Sequence, residues 1–356
     1  MRDNRILRMK RTAASVLTIL AFLQLGIHLA LGWDYEAHRA VNQLGLASLP
    51  TNFPAFVRQP AAAERIAFLA GEMDRWRNTQ DLSLKQYSFP DHYMDMEELA
   101  DYGLKAELLP IFRYDFIAQL ALIRKAHPDK FPEPDAASNQ DHTRGLVGLL
   151  PWGIAESVGK LKSGFSYLKA FEAGGTAEEI ANAQANIIYV MGVMGHLVGD
   201  ASQPLHTTIH HHGWVGDNPH QYTTSRGFHS WIDGGYLNKT GGANVEALKS
   251  RLHPAQPVSI SGRPAKPEEM FQAAMLFLIE QNKQVEPLYQ LDKDGKLSGE
   301  GEKGLEGKAF LESQLLKSGQ LLGDFWYSAW EQAPPDSFLK GQLAKRKRAA
   351  SAAENK

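Results

Sequence analysis

Residues 194–206 constrain what this chain can fold into more than any other stretch. They set His196, Asp200 and His206 in an otherwise apolar segment. On a helix, His196 and Asp200 share one face, a turn apart. Pro204 cannot continue that helix, so the chain bends there and can return His206 to the same neighbourhood. An inward-facing Asp200 between Val198 and Ala201 is costly without a cation or donors to satisfy it. Imidazole nitrogen and carboxylate oxygen are the usual ligand set for zinc. For an isolated His-x3-Asp the simpler reading is a capped helix end with a buried polar pair, and the rest of the chain has to decide between the two.

The segment belongs to a long helix by its period. Thr176-Ala177-Glu178-Glu179 resembles a capping box, and Ile187, Val190, Met191 and Met194 continue the apolar face to Val198. Gly192, Gly195 and Gly199 are expensive inside a helix, which implies close approach of another backbone or of a metal cluster. Helical periodicity also covers residues 35–47, 61–74, 112–126, 151–171, 268–285 and 306–332. Asp74 stands at the end of the second of these, and Pro151 just inside the start of the fourth. A further helix opens at Gly227 and carries His229 and Asp233, again four apart. Residues 128–148, 210–224 and 292–303 read as loops, the first at the surface. With no convincing alternating strand runs, no internal repeat and no Gly-rich phosphate loop, the expected fold is one all-α domain over residues 33–335.

The two ends read differently from this domain. Arg2, Arg5, Arg8, Lys10 and Arg11 precede a mostly apolar run from Ala13 to Leu31, and Ala30-Leu31-Gly32 offers small residues at the positions a signal peptidase reads. Residues 1–32 are therefore expected to be a cleaved signal, and the protein periplasmic or secreted. The run approaches the roughly 20 residues of a membrane span, but Gln24 and His28 interrupt it and weigh against an uncleaved anchor. Residues 336–356, with Lys345-Arg346-Lys347-Arg348, read as a basic, disordered tail. Without residues 1–32 the chain keeps 33 Lys+Arg against 39 Asp+Glu, near −6 overall. No broad basic footprint remains for gripping duplex DNA, so a phosphate-handling protein of this balance needs its positive charge concentrated in one site. The absence of cysteine excludes disulfides and thiolate metal ligands.

Collected in order, the candidates are Trp33, His38, Asp74, His92, His196, Asp200, His206, His229 and Asp233. The order Trp-x4-His, a helix-ending Asp, an isolated His, His-x3-Asp-x5-His and a last His-x3-Asp resembles the trinuclear-zinc phosphodiesterases. These are the single-strand-specific nucleases of the mung bean nuclease type and the related bacterial zinc phospholipases C. The resemblance spans roughly 200 residues. It implies a mainly helical domain with the metal cluster at the base of a cleft, and three zinc ions. Asp74, His92 and His196 would hold one ion, and Asp200 would bridge it to a second. The second would also take His38 and the amine and carbonyl of Trp33, provided Trp33 is the mature N-terminus. His206, His229 and Asp233 would hold the third. A water shared by the paired ions would be the nucleophile, with Asp74 and Asp200 the catalytic carboxylates and the third ion neutralising the leaving oxygen.

The substrate is read from finer details. The step from Trp33 to His38, the final ligand Asp233 and the gap between His206 and His229 look nuclease-like. Asp95 occupies a position where such nucleases bind a base edge. Gly227-Phe228-His229-Ser230 is closer to the phospholipases, the missing cysteines point to a bacterial-type chain, and residues 128–148 and Leu149-Leu150-Pro151-Trp152 have no assigned counterpart. Among the aromatic residues near the ligands (Tyr93, Trp214, Tyr222, Phe228 and Trp231), Trp214 is the best candidate to stack an unpaired base. Histidines 210, 211, 212 and 220 are left out of the ligand set as solvated loop residues. The expected function is an exported, monomeric, zinc-dependent nuclease acting on single-stranded nucleic acid or 3′-nucleotides, with no stable protein partner. Phospholipid is the alternative substrate, and a non-catalytic exported zinc-binding protein the alternative outside enzymes.

Overall fold

A computed structural model describes residues 33–354. The expected signal at 1–32 lies outside the described residues. The fold is all-α. Its main helices are α1 (Tyr35–Ser48), α2 (Pro60–Leu69), α3 (Glu72–Arg77), α4 (Arg113–Ala126), α5 (Leu150–Gly174), α6 (Ala177–Ser202), α7 (Met270–Asn282), α8 (Lys308–Glu331) and α9 (Ser337–Glu354). Shorter helical turns join them, and the strand structure among the described residues is a minimal hairpin of Ser259–Ile260 with Arg263–Pro264. No described helix is long and apolar enough to cross a membrane.

The long helix α6 is the axis of the molecule. Its capping box forms as the sequence predicts, Thr176 accepting from Glu179 N and Glu179 accepting from Thr176 N. Ile187, Met191, Met194 and Val198 are buried along it, and it packs against α5, α8, α2, α1 and α7. Burying such side chains is worth roughly 1.5–3 kcal/mol each, which fixes α6 inside its neighbours. The glycines on α6 show why they are there. A Cβ on Gly192 would sit 2.5 Å from the Cβ of Leu69, one on Gly195 would overlap Asn42 Oδ1, and one on Gly199 would come within 2.7 Å of His38 Nδ1. Small residues thus bring α1 and α2 against the end of α6 that carries His196 and Asp200.

Three expectations are corrected. The helix expected over 61–74 is broken at Ala70-Gly71 into α2 and α3. The break leaves the Ala70 carbonyl to accept from His196 Nδ1 at 2.7 Å, and it places Asp74 within a second, short helix. The helix expected over 268–285 is α7, preceded by a 3-10 turn, and Val285 opens a separate helix. The expected disordered tail is helix α9. Asp336 caps it by accepting from Leu339 N at 2.9 Å, Leu343 is buried near Gly174 on α5, and Arg346 pairs with both oxygens of Glu179. The basic run hid a Leu339/Leu343 stripe at helical spacing. Residues 128–148 do form an irregular connection, but its end is not surface: Val147 is buried and Asp95 N donates to its carbonyl.

Candidate metal centre

The candidate side chains reach the centre from several elements. His38 lies in the first turn of α1, whose start is set by Asp34 accepting from Ala37 N. Asp74 comes from α3, and His92 ends a 3-10 turn, Phe89–His92. His196 and Asp200 face inward from the last turns of α6, and His206 follows in the 3-10 turn that Pro204 opens. His229 and Asp233 sit on a helical segment that widens into a π-turn over Trp231–Gly235; such turns are rare and concentrate at functional sites. Gly234 permits close approach there, since a Cβ on it would strike Asp34.

These side chains form three groups that could hold a metal ion: Asp74, His92 and His196; His38, His196 and Asp200; and His206, His229 and Asp233. Within each group the donor atoms lie within 4.8 Å of one another. Asp200 links the first two groups. Its Oδ2 is 2.9 Å from His92 Nδ1 and 3.3 Å from His196 Nε2, and its Oδ1 is 3.4 Å from His38 Nε2. In the third group His229 Nε2 is 3.1 Å from both His206 Nε2 and Asp233 Oδ2. Two nitrogens bound tetrahedrally at zinc-like distances stand roughly 3.3 Å apart, which is the spacing found here.

The surrounding hydrogen bonds decide which atoms remain free. His196 Nδ1 donates to the Ala70 carbonyl, and His206 Nδ1 donates to the His92 carbonyl at 2.5 Å. Both rings therefore turn an unprotonated Nε2 inward, the arrangement metal-bound histidines adopt. Gln203 Nε2 donates to Asp233 Oδ1 at 2.6 Å, which leaves Oδ2 facing His229. His196 Nε2 meets His92 Nδ1 at 3.0 Å, and His206 Nε2 meets His229 Nε2 at 3.1 Å, so ring nitrogens converge in pairs at the centre. His38 Nε2 and Asp200 Oδ1, 3.4 Å apart, are buried without a hydrogen-bond partner. Buried polar atoms normally have one. A cation between them would satisfy these atoms together, so the residues fit a metal.

The electrostatics agree. Burial pushes His38, His206 and His229 below the ordinary histidine pKa, and His92 down to about 3. For Asp200, burial works the other way but is outweighed by His206 and His196, which hold it well below the usual carboxylate range. Asp74 is lowered likewise, His196 and Arg77 outweighing its burial. His196 alone moves up, because Asp200 and Asp74 outweigh its burial. Neutral imidazoles and ionised carboxylates are the forms a metal binds.

A cavity of about 160 Å³ opens over His92, His206 and His229. Asp95 and Tyr93 are on its wall. Asp95 is buried, its Oδ1 lacks a hydrogen-bond partner, and burial with Glu98 and Glu97 raises its pKa well above the usual range. Trp214 is not brought to this cavity. It stacks on His210 at 3.9 Å, donates from Nε1 to Asp217 O and packs against Tyr222 and Tyr289. Trp33 is fully buried with Nε1 3.3 Å from Ser202 Oγ, and the next residue, Asp34, donates its N–H to the Asp233 carbonyl. The ligand role expected of its main chain depends on cleavage before it, outside the described residues.

Several residues at the site were not singled out from the sequence. Arg77 is buried on the cavity wall, pairs with Asp74 Oδ1 at 2.5 Å and keeps a buried Nε without a partner. Its one signal was the three-residue spacing from Asp74 on a helix. Asn42 donates to the carbonyls of Ile66 and Gly192, tying α1 to α2 and α6, and Gln203 orients Asp233. His211 and His212, set aside as solvated, line the cavity. No protein-family model and no curated protein matches the chain.

Proposed function

We propose that this chain is a zinc-dependent phosphodiester hydrolase acting on single-stranded nucleic acid. The observation that carries the reading is a set of three buried His/Asp donor groups, two of them sharing His196 and linked by Asp200, at the base of a cavity that also holds a buried arginine. The donor set contains no thiolate and is rich in imidazole, which suits zinc, and the spacing of the sequence motif leads to the same ion. Zinc bound there would supply an activated water at neutral pH and neutralise charge on a phosphate.

The chain's own groups account for the remaining steps. Arg77, with Nε unpaired and its guanidinium fixed by Asp74, can donate to a non-bridging phosphate oxygen as negative charge builds. Asp74 can accept from the attacking water and aim it. Asp95, whose Oδ1 lacks a hydrogen-bond partner, can meet a base edge, and the Tyr93 ring beside it offers a stacking face. The imidazoles of His211 and His212 add further polar groups. Export and the cleaved N-terminus at Trp33 are part of the same proposal.

A second reading rests on one observation. Leu108, Ile111, Phe112 and Tyr114 are 77%, 47%, 65% and 83% exposed in one short segment. Exposed apolar clusters mark interaction surfaces, and a lipid surface would fit a phospholipase C. The test is metal analysis with hydrolysis assays on single-stranded DNA, RNA, 3′-mononucleotides and phosphatidylcholine. Zinc with nucleic-acid turnover supports the proposal, and turnover of phosphatidylcholine alone favours the second reading. Zinc without any phosphoesterase activity makes the protein a zinc carrier. Asp200→Ala should abolish turnover and lose at least one zinc, and full turnover in that variant would sink the mechanism.

A further inference from the structure

A second groove, of about 410 Å³, meets the cavity over the metal donors. Arg77 and Phe89 line both, so they form the threshold between them. The groove's walls are polar. Asn78, Gln80 and Gln140 are exposed there, and their side-chain amides have no partner in the protein. Each such amide offers both a donor and an acceptor, the pairing that base edges present.

Lys85 adds a cation to this wall. Its Nζ is 3.5 Å from Asp141 Oδ2 and the side chain is 38% exposed. Asp141 is also bonded through Oδ1 to the Thr143 hydroxyl at 3.0 Å and to Thr143 N at 3.3 Å. That carboxylate stays satisfied if Lys85 swings to a phosphate. At the threshold, Phe89 lies edge-on to Tyr93 at 5.9 Å and leaves an aromatic face between the two depressions.

We propose that this groove binds the nucleotide adjacent to the scissile phosphodiester, making the site one for a single-stranded chain rather than for a mononucleotide. The inference rests on the reading of the centre as a phosphodiester hydrolase. Phe89 stacks the neighbouring base, the free amides meet its edge without strong sequence preference, and Lys85 takes the next phosphate.

The test compares fluorescein-labelled deoxynucleotide dimers and hexamers with phosphorothioate linkages, bound to the metal-stripped full chain and followed by anisotropy. The hexamer should bind at least about fivefold tighter than the dimer, the low end of what stacking one further base contributes. In the double variant Phe89→Ala/Lys85→Gln that advantage should largely vanish. The salt slope for the hexamer should fall by about 0.7, the share of one phosphate contact on a single strand. Equal affinity of dimer and hexamer for the wild type, or an advantage that survives the double variant, overturns the proposal. So does a variant that slows phosphatidylcholine hydrolysis while leaving the length dependence intact. Hydrolysis of bis(p-nitrophenyl) phosphate by the metal-loaded protein separately reports the reaction. A protein that cleaves it without length-dependent binding loses the groove and keeps the function. One that binds by length but cleaves nothing loses the function.

Discussion

Asp200 has both oxygens among imidazoles and no exposure to solvent. One carboxylate in that position both repels an apolar interior and attracts cations, so the residue is tolerable chiefly as a bridge between ions. Arg77, paired with Asp74 on the cavity wall, is the group that in the proposed mechanism would do for phosphate what Asp200 would do for metal. Arg77→Gln should lower kcat by about 10²-fold, the usual cost of removing one preorganised donor to a transition-state oxyanion. KM should move much less and zinc content should be retained; Arg77→Lys should recover part of the loss. Steady-state kinetics beside metal analysis checks this, and a kcat within a factor of two of wild type would remove Arg77 from the chemistry. Acid should release the metal in stages. Buried imidazoles such as His206 and His229, pushed down by burial, compete for protons poorly, so an ion held by them with Asp233 should survive dialysis at pH 5, below the pKa near 6.5 of an exposed histidine, whereas the groups that share the raised His196 should release theirs first. Loss of all the zinc already at pH 6 would contradict it. The donors themselves were legible in the sequence because their types and spacings are unusual together. Arg77, Asn42 and Gln203 were not, because a single Arg, Asn or Gln in a helix is ordinary until its neighbours from distant segments are known.

At the scale of elements, α6 shows how a helix can be specified by what it lacks. The glycines facing Leu69, Asn42 and His38 let three helices converge on one turn, and the sequence announced this through their cost. Gly195→Ala should be the most damaging single methyl in the molecule. The added carbon displaces Asn42, whose amide holds the Ile66 and Gly192 carbonyls at 2.7 and 3.0 Å. Overpacking costs typically 1–3 kcal/mol, and loss of the buried amide bonds adds roughly another 1–3 kcal/mol. Thermal melting should show a drop of several degrees, together with weaker zinc binding, since His196 is the next residue. Gly159→Ala, where a Cβ meets nothing within 4 Å, is the control and should be neutral or slightly stabilising. Periodicity foresaw α1, α4, α5, α6 and α8 because each buries one continuous face. It missed the break between α2 and α3, where a tertiary bond from His196 to Ala70 overrides a locally good helix. It missed α9 too, because charge dominates that stretch while the Leu339/Leu343 contact is formed with α5 and α6 rather than within the segment.

Across the whole molecule the donors join parts of the chain that sequence separates widely: His38 on α1, Asp74 on α3, His92 in its own turn, His196 and Asp200 on α6, and His229 with Asp233 beyond the His-rich loop. A small number of ions would therefore tie together nearly every layer that packs on α6. Without them the fold keeps its apolar core but retains crowded imidazole nitrogens and an unpartnered Asp200 oxygen at its centre. Chelation should then lower stability by far more than a surface metal site would. Binding to the folded state alone contributes about 4 kcal/mol for a site held at a thousandfold over its dissociation constant, and the three donor groups would add to one another. Differential scanning calorimetry before and after EDTA treatment should show the transition shift down by ten degrees or more and return on adding zinc. Magnesium, which prefers oxygen ligands and keeps its water, should not restore it. An unchanged transition in the stripped protein would mean that these buried groups are satisfied without metal, and the reading of the centre would fall with it.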